Sequence, residues 1–304
     1  MRIKSIALLL AAMLLFFTAA GSEEFWPITA TDDLGRPVNI TSAPERIISL
    51  APSNTEILFA LGLEDNVVGV TKYCNYPPEV ESLEKSGKIA VIGGYVDPDV
   101  EKILSLKPDL VLASDISINN TIPSLEKVGV LTYVVESKNL SGILTSIKKV
   151  GIITGKKAEA DALADEMESR IKAVSDRSEA LQKKRVLYIV WHDPIKTVGT
   201  GSFEDEIIEL AGGTNIFHDL SGYPQVDPEA IAVRNPEVII TCTGMGEGAD
   251  LPFQWAKTDR SLNLTDARNN DQIYQAEGDI ITRAGPRIVD GLEMFFRFIH
   301  PEAS

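Results

Sequence analysis

Cysteine and histidine are scarce in this chain of 304 residues, with only Cys74 and Cys242 of the one and His192, His218 and His300 of the other. So low a count excludes a disulfide-stapled scaffold, and the histidines are too scattered for a three-His-plus-acid metal site. Cations are also short, 29 Lys and Arg against 44 Asp and Glu, for a net charge of -15. Phosphates would be repelled, which argues against a nucleic-acid partner. No Gly-Lys-Ser phosphate loop occurs, and neither Ser53 nor Ser202 has a histidine at triad spacing. The glycines of Gly244-Met-Gly-Glu-Gly248 lack the strand and helix context of a dinucleotide site.

Long apolar runs are missing too, except one. Residues 6–17 are almost wholly apolar, follow Arg2 and Lys4, and precede the small residues Thr18-Ala-Ala-Gly21. This pattern predicts a signal peptide over residues 1–21, too short for a typical membrane span, with cleavage or retention as an anchor left open. No cysteine lies near the cleavage point to take a lipid. The mature chain is expected outside the cytoplasm, in a periplasm or on the outer face of the cell membrane.

What is present is organised around residues 156–184. Ala160, Leu163, Met167, Ile171, Val174 and Leu181 recur at helical spacing with charged residues between them, and no Gly or Pro interrupts the run. Lys183, Lys184 and Arg185 stand where a helix dipole favours cations. A helix of that length spans roughly 40 Å, more than the width of a small α/β lobe. The stretches on either side, residues 22–153 and 185–304, each alternate strand-like and helix-like runs. The fold class expected is therefore α/β, two Rossmann-like lobes joined by a long rigid helix over residues 154–184, with the ligand cleft between them. A bridge between Cys74 and Cys242 would pin such a cleft, so free thiols are favoured, although an exported chain permits either state.

In chain order, the run around Asp33-Leu-Gly-Arg36 reads as a hairpin turning near Gly35. Arg46-Ile-Ile-Ser-Leu50 reads as a strand entering a turn in which Ser53 or Asn54 caps a helix from Glu56. Asp97 is read as the cap of the next helix, and the segment between Gly244 and Asn270 as irregular with one short helix over residues 262–267. The last helix, after Pro286, has Ile288, Val289, Leu292, Phe295, Phe296 and Ile299 as its core face. An internal repeat aligns Pro108 with Pro236, and with it Asp99 with Asp227, Glu101 with Glu229 and Asp109 with Glu237. A carboxylate thus recurs in the first turn of equivalent helices. One such residue is explained by the helix dipole; two related ones also suit a two-fold partner that offers arginines.

Asp33-Leu-Gly-Arg36, Pro44-Glu-Arg-Ile-Ile-Ser-Leu50, Ala51-Pro-Ser-Asn-Thr-Glu56, Tyr73-Cys-Asn-Tyr-Pro-Pro78, Gly201-Ser-Phe203, Gly212-Gly-Thr-Asn-Ile-Phe217, Tyr223-Pro-Gln-Val226 and Ala284-Gly-Pro-Arg-Ile-Val289 follow one another along the chain. In this order they resemble the substrate-binding proteins of ABC importers for cobalamin and iron complexes, nearest the cobalamin-binding branch. The resemblance implies a rigid two-lobe protein, monomeric when free, that carries no cofactor and catalyses nothing. It would deliver a corrinoid to an ABC permease dimer with its ATPase subunits. Glu101 and Glu229 match the glutamates that dock on permease arginines. Tyr73 matches a ring of the corrinoid site, Tyr95 and Tyr223 stand where that branch has Trp, and Asp279 and Arg283 match an acid and an arginine at the corrin periphery. Trp191 and His192 depart from the pattern and are candidates for a further wall and for an approach to a metal centre.

The side-chain chemistry points the same way, since a broad apolar plate with a polar rim wants aromatic walls and a few directed polar groups. A ferric siderophore or haem is the alternative cargo. An enzyme on the same scaffold would need clustered Cys or His ligands.

Overall fold

Apolar runs of four to six residues, closed by Gly, Pro or Asp, make the strands, and amphipathic runs between them make the helices. In a computed structural model describing residues 26–243 and 250–303, the chain opens on a hairpin of β1 (Ile28–Thr31) and β2 (Pro37–Ile40). Gly35 takes φ +78° in its turn, a conformation that favours glycine. The first lobe continues through β3 (Ile47–Ser49), α1 (Pro52–Ala60), β4 (Val67–Val70), α2 (Glu79–Lys85), β5 (Ala90–Val91), α3 (Val100–Ser105), β6 (Leu110–Ala113), α4 (Thr121–Glu126) and β7 (Thr132–Val134). These strands form a parallel sheet in the order β5-β4-β3-β6-β7, with the direction of winding reversing between β3 and β6.

The helices α5 (Leu140–Thr154) and α6 (Lys157–Glu179) lead into the second lobe. That lobe holds β8 (Lys184–His192), β9 (Ile195–Thr197), α7 (Phe203–Leu210), β10 (Gly213–Asn215), α8 (Pro228–Arg234), β11 (Val238–Thr243), α9 (Leu251–Thr258), α10 (Asp266–Asn269), β12 (Ile273–Glu277), α11 (Gly278–Ile281) and α12 (Ile288–Ile299). Its sheet runs β10-β8-β11-β12, all parallel, with β9 antiparallel on β8. The expected two-lobe α/β architecture with its long linking helix is therefore present. The expected signal peptide and the glycines of residues 244–248 lie outside the described residues.

Several boundaries differ from expectation, each for a local reason. The linking helix has 23 residues, about 34 Å at the usual rise, and stops at Glu179 rather than at residue 184. Leu181 lies in a turn that donates to the Ser178 carbonyl, while Lys184 and Arg185 are drawn into β8 by pairing with Gly213 and Thr214. The cap of α3 is Asp99, which accepts from the Lys102 N–H at 2.9 Å, and not Asp97. Helix α1 starts at Pro52, whose missing N–H suits the first turn. Ser53 and Asn54 thus fall inside it, and the buried Asn54 amide donates to the Ala113 carbonyl at 3.1 Å instead of capping. Between residues 250 and 270 there are two helices and a 3-10 turn in place of one short helix.

The internal repeat extends to the backbone. Asp99 and Asp227 are the N-caps of α3 and α8, so Glu101 and Glu229 occupy the second position of equivalent helices, and both are exposed. Lys107 and Asn235, each just before the repeated proline, leave their helices with φ +49° and +45°. Asp109 then accepts from the Glu45 and Arg46 N–H groups, and Glu237 from that of Arg185. Each lobe thus ties β3 or β8 to the start of β6 or β11 through a carboxylate at the same place in the repeat.

One apolar cluster runs through both lobes by way of α6, joining Ile57 and Leu58 to Ile147, Ala160, Met167, Val174, Leu292 and Phe296. The face expected of α12 is buried as read, with Ile288, Val289, Leu292, Phe295, Phe296 and Ile299 all at 2% exposure or less. Each such side chain contributes roughly 1.5–3 kcal/mol. Helix α6 is clamped on both sides. Against α12, Arg170 pairs with Asp290 at 2.6 Å and Glu293 at 2.9 Å. Against α5, the backbone approaches so closely that a Cβ on Gly151 would sit 2.2 Å from that of Ala160 and 2.8 Å from the Lys156 carbonyl.

Alanine at Gly151 would gain up to about 1 kcal/mol in helix propensity but would force the two helices apart, at a typical cost of about 1–3 kcal/mol. The clash wins, so Gly151→Ala is expected to lower the urea-denaturation free energy by about 2 kcal/mol with an unchanged far-ultraviolet spectrum.

Candidate functional site

In a parallel α/β sheet every strand ends on the same side, and the loops that follow gather there. In this chain those loops line a cavity of about 520 Å³. Ala51, Pro52 and Ser53 follow β3, Tyr73 follows β4, Tyr95 and Val96 follow β5, Ser114 follows β6, and Val135, Glu136 and Ser137 follow β7. All five strands of the first lobe's parallel sheet therefore contribute. The second lobe closes the opposite side with Phe203, at the start of α7, and with Asp279, Thr282, Arg283 and Ala284 after β12.

Of the residues expected here, Tyr73, Tyr95, Asp279 and Arg283 line the cavity together. Tyr223 is not among the lining residues: it is 52% exposed, and its hydroxyl donates at 3.2 Å to Glu204, the chain neighbour of the lining residue Phe203. Trp191 and His192 do not line it. Strand β8 runs on as a hairpin with β9, pairing Trp191 with Lys196 and His192 with Ile195. The Trp191 indole N–H donates to the Asp193 carbonyl at 2.9 Å, and His192 faces a separate depression with Pro194, Gln225, Asp227 and Trp255.

Arg283 carries a second role that the sequence did not disclose. Its guanidinium reaches across to the first lobe, donating to Glu56 Oε1 at 3.1 Å, to Asn75 Oδ1 at 2.8 Å and to the Tyr73 carbonyl at 3.3 Å. It also pairs within its own lobe with Asp279 Oδ2 at 2.7 Å, which accepts from the Asn75 amide at the same distance. Behind it, Arg287 donates to both oxygens of Glu56, at 3.0 and 2.7 Å, and lies 3.9 Å from the centroid of the Tyr76 ring. Glu56 is 3% exposed and would be costly to bury as a charge without these two partners. Its place at the end of a strand-turn motif and the i, i+4 spacing of Arg283 and Arg287 were the available signals, but neither reveals that the pairing crosses between lobes.

Two carboxyls beside the cavity lack such partners. Burial, followed by the neighbouring Asp115 carboxylate, pushes Glu136 up to about 6. Burial likewise raises Glu204 above the usual carboxylate range. The two cysteines, both buried, are free and lie in separate lobes, their thiols pushed up by burial. Among the described residues, no group of three or more His, Cys, Asp or Glu side chains is arranged to hold a metal ion. No helix among them is long and apolar enough to cross a membrane.

With this geometry in place, the comparison with known proteins is decisive at the family level. The model of a family described as periplasmic binding protein matches residues 47–279. The chain belongs to the periplasmic binding protein family. Relatives of this periplasmic binding protein include an uncharacterized ABC transporter substrate-binding lipoprotein of Bacillus subtilis, 34% identical over 92% of this chain and 87% of that one. A vitamin B12-binding protein of Vibrio cholerae is 31% identical over 84% of this chain and 89% of its own. Among solved structures, a possible iron-binding periplasmic solute-binding protein of Staphylococcus epidermidis superposes with TM-score 0.75 at 29% identity, covering 85% of this chain and all of that one.

Two outcomes are expected in urea denaturation. Glu56→Gln leaves two largely buried guanidinium groups short of charge and should cost about 3 kcal/mol, while the double change Glu56→Met with Arg287→Met should cost less than the sum of the single changes. Glu136 has the opposite sign. Its folded value lies above the ordinary 4.5, so its contribution is most favourable below that value and is lost as the pH rises through about 6. Glu136→Gln should therefore stabilise the protein at pH 7.5, by about 1 kcal/mol after screening at this partly buried site, and have little effect near pH 4.

Proposed function

We propose that this chain captures a corrinoid in the cleft between its lobes and delivers it to an ABC permease dimer with its ATPase subunits, without turning anything over. The observation that carries the reading is the cavity itself. It sets Tyr73, Tyr95 and Phe203 as apolar walls around a rim of Asp279, Arg283 and Ser137, which suits a plate with an apolar face and an amide edge. The likeness to the vitamin B12-binding protein of Vibrio cholerae over most of both chains supports the same cargo. Tyr223, joined through Glu204 to the chain neighbour of Phe203, would extend the wall of the second lobe in this reading.

A ferric siderophore or haem is the second reading, favoured by the likeness to the possible iron-binding protein of Staphylococcus epidermidis. It ranks lower on charge. Among the described residues the one lining cation, Arg283, is already paired with Glu56 and Asp279, leaving little positive potential for an anionic chelate.

Glu101 and Glu229 are the docking groups in this reading. They are exposed, stand at equivalent positions of α3 and α8, and neither lines the cavity, so capture and docking use different surfaces. Helix N-termini favour these carboxylates as anions, and a permease dimer offers two related sites for arginine pairing.

Isothermal titration of the protein with cyanocobalamin, cobinamide, haem and a ferric hydroxamate tests the cargo, with tight one-to-one corrinoid binding expected; binding of the iron compounds alone would replace the cargo. Changing Glu101 and Glu229 together to Lys should reduce transport in reconstituted vesicles at least tenfold while leaving the cargo Kd within about twofold. A weakened Kd would move these residues from the docking surface into the site or the fold.

A further inference from the structure

Glu136 is the ionisable cavity group to which capture and docking assign no task. It follows β7 and lines the cavity with Tyr95, Ser114 and Ser137. Its backbone N–H donates to Asp33 Oδ2 at 3.0 Å, which fixes its place on the wall. Lys149, the cation on that side, is already taken by Asp33 Oδ1 at 2.7 Å.

The groups facing the Glu136 carboxyl are therefore mainly acidic. Asp115 approaches from the turn after β6, where its backbone N–H and its carboxyl also hydrogen-bond the Glu136 carboxyl, and Asp33 from the hairpin turn behind. Tyr95 adds a neutral hydroxyl, and across the cavity stand Asp279 and the already paired Arg283. Among the described residues the charged lining groups thus comprise two carboxyls and one guanidinium whose charge is matched within the inter-lobe cluster.

We propose that Glu136 determines specificity by reading the charge of the cargo's rim, accepting from amide N–H groups and repelling carboxylates when ionised, and donating to either kind of oxygen when protonated. This rests on the capture reading and adds a discriminating group to it. A neutral amide edge is tolerated in both states, whereas a carboxylate edge is tolerated only in the protonated one. With a midpoint near 6, the discrimination strengthens over the ordinary range of external pH.

The test uses two matched pairs of probes in titration calorimetry at pH 5 and pH 7.5: cyanocobalamin with its rim monocarboxylate, and haem dimethyl ester with haem. In the wild-type protein the affinity of the acid relative to its neutral partner should fall about tenfold between the two pH values, and in Glu136→Gln it should stay level apart from the probe's own titration. A ratio that moves equally in both proteins, or not at all in the wild type, overturns the proposal. If neither corrinoid binds but the haem pair shows the predicted change, the assignment of Glu136 stands and the corrinoid reading falls. Corrinoid binding with a level ratio does the reverse, and silence with all four probes overturns both. Carbon-13 NMR of Glu136 supplies a readout that a purely structural role would not move, with a midpoint near 6 that shifts when cargo binds. An ordinary midpoint unmoved by cargo counts against the proposal.

Discussion

The shape of this protein depends on a carboxylate that has left water. Glu56 sits in the first turns of α1 with 3% exposure, and both cations that make its burial tolerable, Arg283 and Arg287, come from the second lobe. Neither lobe can swing away without stranding charge in an apolar setting, a cost of several kcal/mol. Helix α6 fixes the separation of the lobes along its length, while the Glu56 cluster fixes their approach at the cavity. The two constraints act at different points, so together they oppose hinge opening more than either does alone.

That cluster also sets the electrostatics of the cavity. A guanidinium lining a ligand site would ordinarily read as an anion receptor. Here its charge is matched before any ligand arrives, and its terminal N–H groups already donate to Glu56, Asn75, the Tyr73 carbonyl and Asp279, which holds the guanidinium in one orientation at the wall. Preorganisation of this kind lowers the cost of ordering side chains on binding. It leaves Arg283 itself with little selectivity for the net charge of the cargo.

The fold was legible in the sequence because its signals are local. The apolar period of α6, the glycine at the hairpin turn, and the apolar face of α12 are each set by neighbours within a few residues, and all three form as read. The repeat was legible as well, down to the acid after each proline, because it recurs as a contiguous segment. Legibility failed where contacts are distant in sequence. Nothing near Glu56 indicates arginines more than 200 positions away, and nothing in Trp191-His192 shows that β8 outruns its sheet and turns into a hairpin that carries both rings away from the cavity. The end of α6 was misplaced for a related reason. A run of helix-compatible residues continued, but parallel pairing with β10 claimed Lys184 and Arg185 for a strand, and tertiary pairing outweighs the few tenths of a kcal/mol per residue of propensity.

The two lobes are alike in their helices and unlike at the cavity, and this difference has functional content. Equivalent glutamates on α3 and α8 present a nearly repeated surface, which is what a two-fold partner requires. The cavity breaks the repeat. The first lobe supplies loops from all five strand ends, whereas the second supplies Phe203 and one short segment after β12. Strand β8, whose end would correspond to that of β3, is diverted into its hairpin, and the equivalent of the β3 loop is thereby withdrawn from the site. Walls of such different make-up would suit a ligand without two-fold symmetry, while Glu101 and Glu229 keep equivalent places at the starts of α3 and α8. The proposed docking and capture are compatible on one repeated scaffold because they would use opposite ends of its units: helix N-termini that the repeat preserves, and strand carboxyl ends where the loops are free to differ.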